Sequence, residues 1–189
     1  MKTLVKNITC ILVTVFTVTV FLSCDNNKNE IDKLTSVSFL PQTEAEHINL
    51  KYTDSGKVTA ILLSDIMQDY SNAKYAFVEF PKGINLTVFD TQNQENYVVS
   101  KYAISHTKNN LIELLDSVVI TTHDGKVFTT DQLFYDQKAD WFFTEKHFKF
   151  KDENGSFIEG PGADFSRDFK IFNAQRNSGE YKNSKPSDI

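Results

Sequence analysis

The chain has 189 residues, 20 of them Lys or Arg and 25 Asp or Glu, for a formal net charge of −5 at neutral pH. An acidic surface repels nucleic acid, and no basic aromatic stripe argues otherwise, so that class of partner is set aside. The two cysteines, Cys10 and Cys24, lie in or directly after an apolar N-terminal run, so no disulfide framework is expected and stability must come from packing and backbone pairing.

Lys2 and Lys6 precede an uncharged stretch over residues 8–22, which has the charge and hydropathy of a secretion signal. It is shorter than the roughly 20 residues of a spanning helix. The run ends in Phe21-Leu22-Ser23-Cys24, then Asp25-Asn26-Asn27-Lys28, and resembles a lipobox with Phe in place of the usual Leu. Cleavage before Cys24 would free its thiol and amine for acylation. At about 0.8 kcal/mol per buried methylene, two or three acyl chains hold a protein to a membrane. Residues 1–23 thus read as a lipoprotein signal and 24–45 as a lipidated N-terminus with a polar tether. Asp25 resembles an inner-membrane retention signal, which implies a periplasmic protein anchored to the inner membrane through Cys24.

Order is expected from residue 46 to 173. Residues 47–53 alternate, with Ile48, Leu50 and Tyr52 on one face, the period of a half-buried strand. Asp54-Ser55-Gly56 is its turn. Residues 64–73 are rich in Asp, Ser, Asn and Tyr and allow a short helix or a turn. Extended runs then recur between turn signals: Pro81-Lys82-Gly83, residues 92–96, Lys108-Asn109-Asn110, Asp124-Gly125 and Asn154-Gly155. That spacing predicts an antiparallel all-β domain of consecutive hairpins. A two-residue turn at Asp124-Gly125 would set Val118, Ile120 and Val127 on one face and Val119, Thr121 and Phe128 on the other. Pro161 cannot donate to a ladder and marks an edge, a bulge or a strand start. Residues 168–172 read as the last strand and 174–189 as a polar tail.

Enzyme signatures are missing, as are cofactor and metal motifs. His47, His106, His123 and His147 lie far apart and read as solvated surface residues. Asp152-Glu153-Asn154-Gly155 with Glu159 has the wrong spacing for a calcium loop and reads as a turn. The aromatic load is high, with 16 Phe and 7 Tyr beside one Trp. Phe142, Phe148 and Phe150 share one parity, and Glu145, His147, Lys149 and Lys151 take the other. An apolar face of this kind, with Ile84, Leu86, Val88, Val118 and Ile120, suits either an ordinary sandwich core or an open groove for acyl chains.

Several segments together resemble the LptC family of lipopolysaccharide export proteins, over about residues 48–172. They are residues 52–58, 99–103 and 111–120, the run Thr130-Asp131-Gln132-Leu133-Phe134-Tyr135-Asp136, and the corner Gly160-Pro161-Gly162-Ala163-Asp164. The best-known members carry one transmembrane helix, whereas this chain resembles the lipidated variants. The resemblance implies a single all-β domain, an open antiparallel two-sheet β-taco or β-jellyroll, whose interior receives the acyl chains of lipopolysaccharide. Ile84, Leu86, Val88, Val118, Ile120, Phe148 and Phe150 would line that groove. It also implies unpaired edge strands that recruit partners by strand addition. The first, with Ile48, Leu50 and Tyr52, would meet the periplasmic domains of an LptF- or LptG-type transporter. The last, with Phe169, Ile171 and Phe172, would meet an LptA-like bridge protein. No ATP site is expected, so the partner transporter would supply the energy. The alternative is a surface or periplasmic β-sandwich lipoprotein that binds glycans or proteins.

Overall fold

The structure, a computed structural model, describes residues 40–90 and 92–182. From Pro41 onward they form one compact unit. Every strand in it pairs antiparallel in a 14-stranded sheet, and no helix occurs among the described residues.

Two pairing paths run through that sheet. The first joins residues 43–46 of β1 (Thr43–Asp54) to residues 66–69 of β2 (Lys57–Asp69), then β3 (Val78–Phe80), β6 (Tyr102–His106) and the first half of β7 (Leu111–Thr121). It continues through the second half of β8 (Val127–Asp136), β9 (Trp141–Thr144), β12 (Gly162–Ser166) and β13 (Phe172–Gln175). The second path joins the remaining halves of β1 and β2 to β4 (Ile84–Phe89), β5 (Glu95–Ser100) and the second half of β7. From there it runs through the first half of β8 to β10 (Phe148–Lys151), β11 (Phe157–Gly160) and β14 (Ser178–Glu180). Strands β1, β2, β7 and β8 thus belong to both paths, and the other strands break at a shared corner and resume in the opposite path. The result is two antiparallel sheets joined along one corner, with their inner faces in contact, as Phe128 and Phe165 show by approaching to 4.7 Å.

The corner has a local cause at three points. In β1 it is His47 at φ 53°, and in β7 it is Asp116 and Ser117 at φ 60° and 57°, where the register shifts between Leu115 and Val118. The β7 irregularity sets two residues against one, which bends a strand and raises its twist. Between β3 and β4 the corner is Gly83, at φ 78°, where a Cβ would lie 2.1 Å from the Ser100 carbonyl oxygen. No side chain fits there. Bending leaves carbonyls without ladder partners, and buried hydroxyls satisfy them: Ser64 donates to Gly83 at 2.7 Å, Thr144 to Gln132 at 2.6 Å, and Thr130 to His147 at 3.0 Å. Pro161, which has no donor, sits between β11 and β12 where a ladder bond is not needed.

Four expectations from the sequence are corrected. Residues 64–69 are strand, since β1 and β3 pair with both edges of this segment and outweigh its weak propensity; the turn follows, with Ser71 N–H on Asp69 at 2.7 Å. At Asp124-Gly125 the loop has three residues. Thr122 and Lys126 close it, N–H to O at 2.9 Å, the Thr122 hydroxyl accepts from Lys126 N–H at 3.0 Å, and Gly125 alone takes the positive φ. The register therefore pairs Ile120 with Phe128 and Thr121 with Val127. A one-residue slip exchanges faces, so Phe128 points inward and Val127 outward, opposite to expectation. β1 begins at Thr43, inside the expected tether. Finally, Phe169 and Ile171 are not in a strand: residues 166–171 form a turn in which Ser166 N–H donates to Ile171 O at 3.0 Å. The last strands are β13 and β14, which occupy part of the segment expected to be a tail.

Candidate functional site

The candidate site is the inner face of the second sheet, built from cross-strand rows. One row runs Leu62, Leu86, Val98, Ile120, Phe128, Phe150, Ile158. Beside it, Ile84 pairs with Ser100, and Val118 pairs through Thr130 to Phe148. All seven residues expected to line a groove therefore share this face. Ile84, Val118, Ile120 and Phe148 are buried in the core, Leu86 and Phe150 are half-buried against it, and Val88 is half-buried farther from the corner. Lys149 and Lys151 lie on the outer face. There Lys149 pairs with Glu159 at 3.5 Å and sits 3.9 Å from the centre of the Phe157 ring.

The sequence reading omitted much of this face. Phe128, fully buried, was assigned to the wrong face by the one-residue register error. Leu62 and Val98 follow the same alternation and were legible once strand pairing was known. The opposing face has Ile112, Leu114, Leu133 and Tyr135 from the other halves of β7 and β8, with Phe142, Phe165 and Phe172 from β9, β12 and β13, and it depends on the corner.

Packing is uneven along the interior. Toward β9–β13 it is filled by rings: Phe128 stacks on Phe148 at 5.7 Å, Phe142 on Phe165 at 5.2 Å, and Phe150 on Phe172 at 5.0 Å. Beyond Leu62, which is still buried, the same face is uncovered along β1. Leu50 pairs with Leu62 and Tyr52 with Ala60, so both side chains lie on the inner face, yet they are 37% and 48% exposed. Ile48 is half-buried near the corner. The interior is thus a core at one end and an uncovered apolar surface at the other.

Both ends carry edge strands. Among the described residues β1 pairs only with β2, β13 only with β12, and β14 only with β11. Ile48, Leu50 and Tyr52 are on such an edge, and so is Phe172; Phe169 and Ile171 are in the adjoining turn. Burial and then Asp140 push the Tyr135 hydroxyl up to about 12, and Asp140 also holds Arg167 at 3.3 Å. Such a Tyr serves as a hydrogen-bond donor. His106 lies 3.6 Å from Glu113. No group of three His, Cys, Asp or Glu among the described residues could hold a metal ion, and no described helix is long and apolar enough to cross a membrane. Cys24 lies outside the described residues.

A family model described as lipopolysaccharide-assembly, LptC-related, matches residues 10–173. No curated protein matches the chain.

Proposed function

The chain belongs to the LptC family, a family of lipopolysaccharide-transport bridge components found in the periplasm in association with the inner membrane; from that premise we propose that it receives lipopolysaccharide from an ABC transporter and passes it to an LptA-like protein. The observation that carries this reading is the uneven interior. Apolar side chains at Leu50 and Tyr52 face inward but remain exposed, and they continue through Leu62 and Ala60 into Leu86 and Val88 of the next strand. Acyl chains laid on that surface would remove apolar area from water at roughly 25 cal/mol per Å², while the sugar and phosphate groups stay outside.

The free β1 edge fits strand addition by the periplasmic domain of an LptF- or LptG-type transporter, and the β13–β14 edge fits the LptA-like partner. Phe172 remains part of that second edge; Phe169 and Ile171 do not. Lipidated Cys24 supplies the membrane anchor, and energy comes from the transporter.

The test is site-specific photo-crosslinking with transporter and ATP present. Crosslinkers at Leu86, Val88 and Phe150 are expected to capture lipopolysaccharide, and those at Lys149 and Lys151 are not. Equal capture from both faces would remove the groove and leave a closed core.

A further inference from the structure

Four connections line the rim of the first sheet that lies away from the corner: residues 70–77, 107–110, 137–140 and 167–171. They are tied to one another in that order. Lys108 Nζ donates to the Lys74 carbonyl at 2.8 Å and Thr107 Oγ to that of Ala76 at 3.3 Å, Gln137 N–H donates to the Asn110 carbonyl at 2.9 Å, and Arg167 N–H to that of Asp140 at 3.2 Å. Each connection carries one or two cations, and their partners change along the rim. At the filled end Arg167 is held by Asp140 at 3.3 Å and Lys170 by Asp168 at 2.8 Å. Next comes Lys138, whose charge acts on Asp136 of its own turn. At the β1–β2 end, Lys74 and Lys108 form no ion pair with any described carboxylate.

These two lysines converge. Their ammonium groups lie 5.6 and 6.0 Å from the centre of one ring, that of Tyr75, which is 73% exposed. A ring face attracts a cation, but two ammonium groups gathered on it repel each other, and no described carboxylate offsets that repulsion. The segment that presents them is closed by its own bonds: Tyr70 N–H donates to Phe77 at 2.9 Å, Ala73 N–H donates to Tyr70 at 3.0 Å, and the Tyr70 and Phe77 rings stack at 4.6 Å. Two unpaired cations beside an exposed ring suit a phosphorylated sugar, with charge for the phosphate and a flat apolar surface for the sugar.

Their place in the fold points to the same ligand. Strand β2 runs from the β1–β2 turn through the corner to the 70–77 connection, so this loop is one lip of the end at which Leu50 and Tyr52 leave the interior uncovered. The other lip, made by the β1–β2 turn and the β4–β5 connection, has Asp54, Asp90 and Glu95 against Lys57, a balance that disfavours an anion. Unpaired cations and uncovered apolar surface thus occur together, and both give way toward β13.

We propose that Lys74, Lys108 and Tyr75 form a headgroup site, which takes a phosphate and its adjoining sugar while the acyl chains of the same molecule lie on the uncovered inner surface. The inference rests on the carrier reading above and adds which lip the headgroup meets. Head and tails are held at one end, so no chain has to pass the buried rings of Phe128, Phe148 and Phe165.

The experiment uses the full chain with a photo-crosslinker at Val88, which pairs with Ala60 on the inner face. It is titrated with radiolabelled lipopolysaccharide, or with the same material after enzymatic removal of its phosphates. The parent is expected to reach half-maximal capture at a lower concentration of the phosphorylated form. Lys74→Gln combined with Lys108→Gln is expected to raise that concentration about fivefold, and to move the value for the dephosphorylated form by less than about twofold. Lys74→Arg with Lys108→Arg restores the charge and is expected to recover capture of the phosphorylated form. Lys170→Gln, at the filled end, is expected to change neither value. An unchanged concentration in the double Gln variant, or an equal rise for both forms, would overturn the headgroup site. Absence of capture at Val88 in the parent with either form would instead overturn the carrier reading, and the headgroup site with it.

Discussion

Replacing Phe128 and Leu50 separately by Ala compares the two ends of the interior. Phe128 is fully buried and touches the rings of Phe148, Phe165 and Phe172 at 5.7, 4.7 and 6.3 Å. Its removal forfeits transfer energy and leaves a cavity walled by strands from both sheets, at a cost of about 3–5 kcal/mol. Since domains are typically stable by about 5–15 kcal/mol, that is a large fraction of the total, with a fall in Tm on the order of 10 °C or more. Leu50 is on the same inner face but 37% exposed, and its loss leaves a notch open to water. About 1 kcal/mol is expected there, well below the roughly 2–5 kcal/mol of a buried Leu→Ala change. Urea unfolding followed by circular dichroism and by the fluorescence of Trp141, the single Trp, gives both values, provided the slope with denaturant stays constant. If Leu50→Ala costs as much as Phe128→Ala, the β1–β2 end is a filled core in solution and the argument for an uncovered acyl surface fails.

Gly83→Ala forces a Cβ to 2.1 Å from the Ser100 carbonyl oxygen and 2.8 Å from Lys101 Cα; a loss of at least ~2 kcal/mol is expected, and an unchanged urea midpoint would contradict the corner geometry. Burial opposes ionisation of Asp124, but hydrogen bonds from Lys126 and Thr122 outweigh it and bring the carboxyl from 3.8 down to about 2. A depressed folded pKa stabilises above the unfolded value, and that contribution is lost as the pH falls through about 2. Asp124→Asn should therefore lower Tm at pH 6, with the gap from the parent closing between pH 4 and 2; a constant gap across that range would count against the hairpin's charge network. Cys24→Ala should yield a precursor that takes up no palmitate label, and labelling equal to the parent's would refute the anchor.

Much of this architecture was written locally. Alternation at Ile48, Leu50 and Tyr52, and at Phe148 and Phe150, needs only the two-residue period of a strand, so the all-β class and the inward face of all seven expected groove residues follow from the chain itself. The motif runs at residues 130–136 and 160–164 were likewise legible in one dimension, and they pointed to the family. Register was not. At residues 122–126 the two-residue and three-residue turns differ by a single hydrogen-bond choice, made by the Thr122 hydroxyl, and that choice exchanged the faces of Phe128 and Val127. Residues 64–69 have a composition that favours no element; they are a strand because β1 and β3 flank them. The contrast between a filled end and an uncovered end belongs to tertiary structure alone. Leu50 and Phe148 present the same inward parity in sequence, and only the rings brought from β8, β12 and β13 bury one and leave the other exposed. Phe169 shows the same division: local hydrogen bonds among Ser166, Asp168, Lys170 and Ile171 close its turn, whereas its ring stacks on Phe150 of the opposite sheet, which no local rule dictates.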